Sequence, residues 1–492
     1  MKKTLLALFA GLLILVSVLL VRTAGFHSRQ LAADPAPALA FDTAAAAERL
    51  AGALRFRTIS YQDSSQFDAA EFRRFHDYLR TAFPRAHARL ERETVGGSAL
   101  LFRWTGTDTT LRPIVLMAHQ DVVPVEPGTE GNWAQPPFGG RIADGYVWGR
   151  GAMDDKGSLV AILEAVERLL DEGTTPRRTI YLAFGHDEEV GGRRGAVRIA
   201  ELLAARRVEP ELVLDEGGAL VDSLIPGVSG PVAIIGVAEK GYVTLELIAR
   251  GAGGHSSMPP PHTAVGTLSA AILRLERSPM PRAIRGPTAA LFDYLGPEMP
   301  VLPRMVFANR WLFGGLVAAR FGATPEGNAM LRTTTAPTML QAGIKENVLP
   351  STARGVVNFR ILPGDSVGAV LRHARRVIRD TLVTVGVLEG TRSEPSPVSG
   401  TDNDAFRLLQ RTVRQVAPAA IVTPWLVVGG TDARHFTRLT SNVYRFGAIR
   451  LGPSDLKRAH GTDERVGLGS YATMVRFYVQ LLRNASSSAA PR

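Results

Sequence analysis

The apolar run Thr179 to Phe184 ends abruptly in Gly185-His186-Asp187-Glu188-Glu189-Val190-Gly191-Gly192. A strand that delivers three consecutive acids into a glycine-rich loop gains nothing in packing and points instead to chemistry. Successive residues of an extended chain face opposite sides, so Glu188 and Glu189 can serve two tasks. Glu189 is assigned as ligand to a cation, and Glu188 as the base facing a reacting water. A solvated acidic turn has the same local sequence, and what separates the two readings is the company found elsewhere along the chain.

That company repeats the pattern. Ile114 to Ala118 is a continuous apolar run, as in a strand buried on both faces, and it leads into His119-Gln120-Asp121. Residues two apart face the same way, so Asp121 can orient the far nitrogen of His119, as carboxylates do behind metal-bound imidazoles. Leu214-Asp215-Glu216-Gly217-Gly218 again places acids after a short apolar strand. Trp148 to Gly157 is a glycine-flanked turn entering a helix, and its Asp154-Asp155 reads either as a helix cap or as further ligands. Ala459-His460-Gly461-Thr462-Asp463-Glu464-Arg465 stands far away, just before the last helix. In open parallel sheets ligands bind beyond the carboxyl ends of strands, so these positions can converge. The chain has no cysteine, which removes disulfides, thiolate ligands and cysteine nucleophiles and leaves any metal to His and carboxylates.

The fold expected is α/β, a mainly parallel sheet flanked by helices, because strands such as Ala99 to Trp104 and Pro113 to Ala118 alternate with helices such as Lys156 to Glu172. In that helix Leu159, Ile162, Leu163, Val166, Leu169 and Leu170 share one face. Near Val237 the character changes to strand-helix repeats of a smaller α+β unit. The domains expected are 1–22 as membrane anchor or signal, 23–42 as a linker, 43–237 and 390–492 as two parts of a catalytic domain, and 238–389 as an inserted lid or dimerisation domain. Within the insert, Ser278 to Ala336 is rich in Pro, Met and aromatics and reads as an extended lid or a partner surface.

Met1-Lys2-Lys3 precedes an uncharged, almost wholly apolar run from Leu5 to Val21, closed by Arg22. As a helix this run rises roughly 26 Å, just short of the roughly 30 Å of a bilayer's hydrocarbon core. An uncleaved membrane anchor is favoured over a removed signal, with Lys2 and Lys3 cytoplasmic and the remainder on the extracytoplasmic side; secretion after cleavage is the alternative. The net charge of +11 comes mostly from scattered Arg, and without a Lys/Arg run nucleic acid is not expected as a partner.

Taken together, the five motifs resemble the dinuclear-zinc family of aminoacylases, carboxypeptidases and dipeptidases, most closely its carboxypeptidase S and N-acyl-amino-acid hydrolase branch. The resemblance spans roughly Leu50 to Leu482 and implies two Zn²⁺ ions, with Co²⁺ or Mn²⁺ also suited. It makes His119 and Asp215 ligands of one ion, Glu189 and His460 ligands of the other, and Asp154 the bridge. It makes Asp121 a support for His119 and Glu188 the general base. It also matches Gly253 to Pro259 to the family's oxyanion motif, so that His255 donates to the oxyanion, from the same chain or across a homodimer formed through the inserted domain. Asn347, Arg360 and Arg434 are candidates for holding a substrate carboxylate. The implied activity is hydrolysis of the amide next to a C-terminal amino acid in short peptides. The alternatives are hydrolysis or synthesis of N-acyl amino acids and, last, a non-catalytic metal-binding scaffold at the membrane.

Overall fold

The computed structural model describes residues 1–223, 225, 227–228 and 230–486; the end of the expected second catalytic portion, 487–492, lies outside the described residues. The apolar run of the 110s forms the strand Ile114–His119, buried along its whole length. It sits inside a ten-stranded sheet ordered Glu91–Val95, Ala99–Trp104, Ile180–Gly185, Ile114–His119, Leu212–Asp215, Val443–Arg445, Val232–Glu239, Ala219–Val221 and Arg450–Leu451, with Ile421–Val427 beside Val232–Glu239.

Its centre is parallel, from Ile180–Gly185 through Val443–Arg445. The sheet as a whole is mixed, with five parallel and four antiparallel pairings among the described residues, because short connections force antiparallel pairs outside that centre. Three residues join Val95 to Ala99, a span that closes a hairpin and is far too short for a parallel crossover. In the parallel centre His119 lies level with Gly185, and Leu116 with Leu214. Three acid-bearing strand ends therefore meet at one edge.

The helices Lys156–Asp171 and Leu468–Ser486 cover one face of this sheet. Leu159, Ile162, Leu163, Val166 and Leu169 are buried, and each such side chain contributes ~1.5–3 kcal/mol.

The smaller sheet is wholly antiparallel, ordered Thr334–Ala342, Thr352–Ile361, Gly241–Arg250 and Val383–Ser393. With the helices Ala264–Arg277 and Val367–Ile378 it encloses its own core around Val243, Leu268, Phe359 and Val370. A buried ion pair of the larger sheet sits where its strand Val232–Glu239 runs on into Gly241–Arg250 of the smaller one. Glu239 accepts from Arg445 Nε at 2.6 Å and from the Thr431 amide at 2.9 Å, all buried. Next to it, Lys240 Nζ donates to the carbonyls of Ala329 and Arg332 at 2.8 and 2.9 Å.

Two expectations change here. Ser278 to Ala336 is largely helical, with helices Gly286–Leu295, Val301–Ala308, Arg310–Phe321 and Pro325–Leu331. Leu291, Phe292, Leu295 and Met330 pack with Val232 and Leu426 of the larger sheet, so the segment is docked and not extended. The linker 23–42 is also bound down: Gln30 exchanges two hydrogen bonds with the Val422 backbone, and the Ala36 amide donates to the Gln415 carbonyl. At the N-terminus the helix Lys2–Ala24 buries none of its residues and is long and apolar enough to cross a membrane.

Candidate metal centre

Asp154 is the hub of the strand-end cluster. Its Oδ1 lies 2.9 Å from His119 Nε2, and its Oδ2 lies 3.0 Å from His460 Nε2. On the His119 side Glu216 Oε1 stands 3.5 Å from the same Nε2; on the other side Glu189 Oε2 stands 3.1 Å from His460 Nε2. Two triads result, His119–Asp154–Glu216 and Asp154–Glu189–His460, sharing one carboxylate.

Each member is held from behind. His119 Nδ1 donates to the Asp121 carbonyl at 2.9 Å, which leaves Nε2 free to face the cluster. The Asp121 carboxylate in turn accepts the amides of Glu188 and Glu189, both at 3.2 Å, tying one strand end to the next. Asp154 sits in a turn whose backbone is pinned by Glu464. One Glu464 oxygen accepts the amides of Gly151, Met153 and Asp154 at 3.0, 2.9 and 3.1 Å, and the other accepts from Arg150 at 2.6 Å. The helix-cap reading of this turn fails, since Asp155 makes no capping hydrogen bond at the start of Lys156–Asp171. The His460 carbonyl accepts from Arg150 Nη2 at 3.2 Å, so both triads rest on the Arg150–Glu464 pair.

The electrostatics call for added positive charge. Burial drives the proton affinities of Glu188 and Glu216 well up, and neighbouring carboxylates add to the rise. Glu189 is raised by burial as well, against the pull of His460. Burial alone would raise Asp154 too, but His119 and His460 on either side hold it below the ordinary carboxylate range. His460, hydrogen-bonded to Asp154 and Glu189, is pushed up to about 10. Glu189 Oε1 is buried without a hydrogen-bond partner.

Cations fit these donors. The atoms of each triad lie within 4.8 Å of one another, and ligands ~2.0–2.2 Å from a shared tetrahedral ion stand roughly 3.3–3.6 Å apart. A set of imidazole and carboxylate with no thiolate suits Zn²⁺, Co²⁺ or Mn²⁺.

Asp215, expected as a ligand, is a member of neither triad: its Oδ2 accepts the Ala433 amide at 2.7 Å, and burial first of all lifts its pKa to about 6. Glu216 takes its place because neighbouring residues of an extended chain face opposite sides. Gly217, at φ +103°, then turns the chain back in a conformation that disfavours any side chain.

None of His255, Asn347, Arg360 and Arg434 is a member of either triad. His255 is exposed in the two-residue strand Gly254–His255, which pairs with Val348–Leu349 and sets His255 opposite Val348, one residue from Asn347. The Ser256 amide donates to the Asn347 carbonyl at 3.1 Å, and Asn347 Oδ1 is buried and unpartnered. Arg360 stacks 4.8 Å from the Tyr242 ring, and burial together with the charge of Arg434 lowers its pKa. Among the described residues no hydrogen bond or ion pair links His255 to His119, Asp154 or His460. Sequence reasoning missed Glu216 and Glu464, although both stand inside motifs that it singled out.

Comparison with known proteins converges on one family. The model described as Peptidase family M20/M25/M40 matches residues 115–484. The chain is 43% identical over 89% of its length to the probable carboxypeptidase S-like 2 of Dictyostelium discoideum, covering 84% of that protein. It is 40% identical over 99% of its length to the N-fatty-acyl-amino acid synthase/hydrolase PM20D1 of Xenopus tropicalis, covering 96% of that protein. In fold it is similar to the M20 family metallo-carboxypeptidase Sso-CP2 of Sulfolobus solfataricus, with a TM-score of 0.65 at 18% identity over 90% of this chain and 99% of that one.

Proposed function

This chain belongs to peptidase family M20/M25/M40 and is a metal-dependent hydrolase, and from that premise we propose roles for its residues and a class of substrate. His119, Asp154 and Glu216 would hold one ion, and Asp154, Glu189 and His460 the second, zinc in the first instance. When bound, such a pair polarises a carbonyl and lowers the pKa of water towards neutrality. Glu188 is the general base. Its raised proton affinity, set by burial among acids, suits it to take a proton from water and return it to the leaving nitrogen. Asp121 fixes the backbone from which Glu188 projects.

The smaller sheet supplies the rest. His255 donates to the oxyanion that develops at the cleaved carbonyl, brought over the cluster by closure of the inserted domain or by a second copy of the chain in a homodimer. Arg360 and Arg434 offer the planar forks that recognise a carboxylate, and Asn347 an amide beside His255. The substrate is an amide adjoining a free carboxylate, which makes the enzyme a carboxypeptidase or dipeptidase of short peptides. A second reading, an N-acyl amino acid, is favoured by the apolar helical segment Val301–Phe321 and by the extent of the likeness to the acyl-amino acid enzyme.

The helix Lys2–Ala24 serves as a membrane anchor with the catalytic part on the extracytoplasmic side; secretion after cleavage is the alternative. The helix end favours an anchor that stays, since Asn309 and Arg304 of the body are hydrogen-bonded to Leu19 and Phe26.

The observation that carries the reading is Asp154, placed between His119 and His460 within 3.0 Å of both. Assay of purified, zinc-loaded protein on a dipeptide and on a long-chain N-acyl amino acid tests it. Turnover of either identifies the acyl side, and inactivity on both overturns the hydrolase assignment.

A further inference from the structure

The helices Val301–Ala308 and Arg310–Phe321 meet at Asn309, which is fully buried. Asn309 Nδ2 donates to the Leu19 carbonyl at 3.2 Å, and Arg304 Nη2 donates to the Phe26 carbonyl at 2.7 Å. These bonds clamp the helical pair to the carboxyl end of the N-terminal helix, at the level of Arg22, where its apolar run stops.

The outer side of the pair is apolar and uncovered. Val301 and Leu302 on one helix and Trp311, Leu312 and Leu316 on the other are exposed. Leu312 and Leu316 lie one turn apart on a common face. From Val301 to Phe321 the only charges are Arg304, Arg310 and Arg320, with no acid; Arg304 is held by the Phe26 carbonyl and Arg310 by Asp293 at 2.5 Å, so the exposed Arg320 is the one turned to solvent. Arg310 also lines a cavity of about 540 Å³, together with Arg282, Ile284 and Trp311. Helices with exposed Leu and Trp accompanied by Arg lie in the lipid–water interface, where Trp sits at headgroup depth and Arg meets anionic lipid.

We propose that Val301–Phe321 is a monotopic seat, two helices that rest in the surface of an anionic bilayer beside the anchor and fix the larger domain against it. The occupant is lipid because the surface is continuous with the apolar helix at the point where that helix leaves the membrane. The inference rests on reading Lys2–Ala24 as inserted.

Tryptophan fluorescence tests it on the full chain, reconstituted in vesicles of phosphatidylcholine and phosphatidylglycerol with and without dibrominated acyl chains. The N-terminal helix has no Trp; of the five in the chain Trp104, Trp133 and Trp148 are buried and Trp425 is partly buried against the larger sheet, whereas Trp311 is 57% exposed. The expected result is bromolipid quenching of a component that Trp311→Phe removes and that Leu312→Glu with Leu316→Glu suppresses. Carbonate extraction reports separately on the anchor. Absence of that component in a chain that resists extraction overturns the seat and leaves the anchor standing. Absence in a chain that is extracted overturns both.

Discussion

Two imidazoles assigned to one reaction live in opposite surroundings. His119 is 1% exposed, with one nitrogen on the Asp121 carbonyl and the other against Asp154. His255 is exposed, and its Nδ1 meets only Ser257 of its own turn. The first is fixed by the packing of a buried sheet before any ligand arrives. The second is carried on the smaller domain, and in the proposed role it would gain a partner only when that unit, or another copy of it, comes over the cluster. On the proposed roles catalysis would divide accordingly, with cation binding and the base preorganised in the larger domain and the oxyanion donor delivered from outside.

The largest effect should come from the fixed side. Glu188→Gln is expected to lower kcat by ~10²–10⁴-fold while metal content, measured on the same preparation, stays at the wild-type level. Loss of metal together with rate would move Glu188 into the ligand set and erase the division.

On the delivered side, His255→Ala should lower kcat by about 10²–10³-fold, with the thermal midpoint unchanged because the side chain is exposed. Mixing the inactive His255→Ala and Glu188→Gln proteins sharpens the comparison. Recovery of activity means that His255 acts across a homodimer, and no recovery means that it acts by closure of its own chain.

The smallest effect concerns the joint between the two regions. Burial lowers the Lys240 pKa from 10.5 to about 7. The unfolded chain therefore binds more protons between those values, so stability rises as pH climbs from about 7 towards 10.5, and the full cost of the buried charge is felt below about 7. Lys240→Met should flatten that rise in a series of thermal midpoints against pH and leave metal content unchanged. A slope equal to the wild type's would show that Lys240 is not the group responsible.

The sequence made the strand ends legible because apolar runs that stop in acids are local patterns, and Ile114 to His119 and Thr179 to Glu189 carry them whole. It did not distinguish Asp215 from Glu216, because which of two successive side chains faces the cluster depends on the orientation of the strand Leu212–Asp215 in the sheet, a tertiary fact. Glu464 was invisible for a related reason, since its three amide partners lie more than 300 residues away, in the turn it pins. The helices between Gly286 and Leu331 were not legible in a segment rich in Pro, although Pro287 and Pro325 stand in first helical turns, where proline is well placed. The stretch 23–42 read as a linker because the bonds that bind it down come from Val422 and Gln415.

The direct test is an anomalous difference map at the zinc edge from crystals of the metal-loaded protein. Two peaks are expected, one touching His119, Asp154 and Glu216 and the other Asp154, Glu189 and His460, with the first lost in Glu216→Gln and retained in Asp215→Asn. A map without a peak at Asp154, or one whose peak contacts Asp215 and not Glu216, would contradict the paired-cation site.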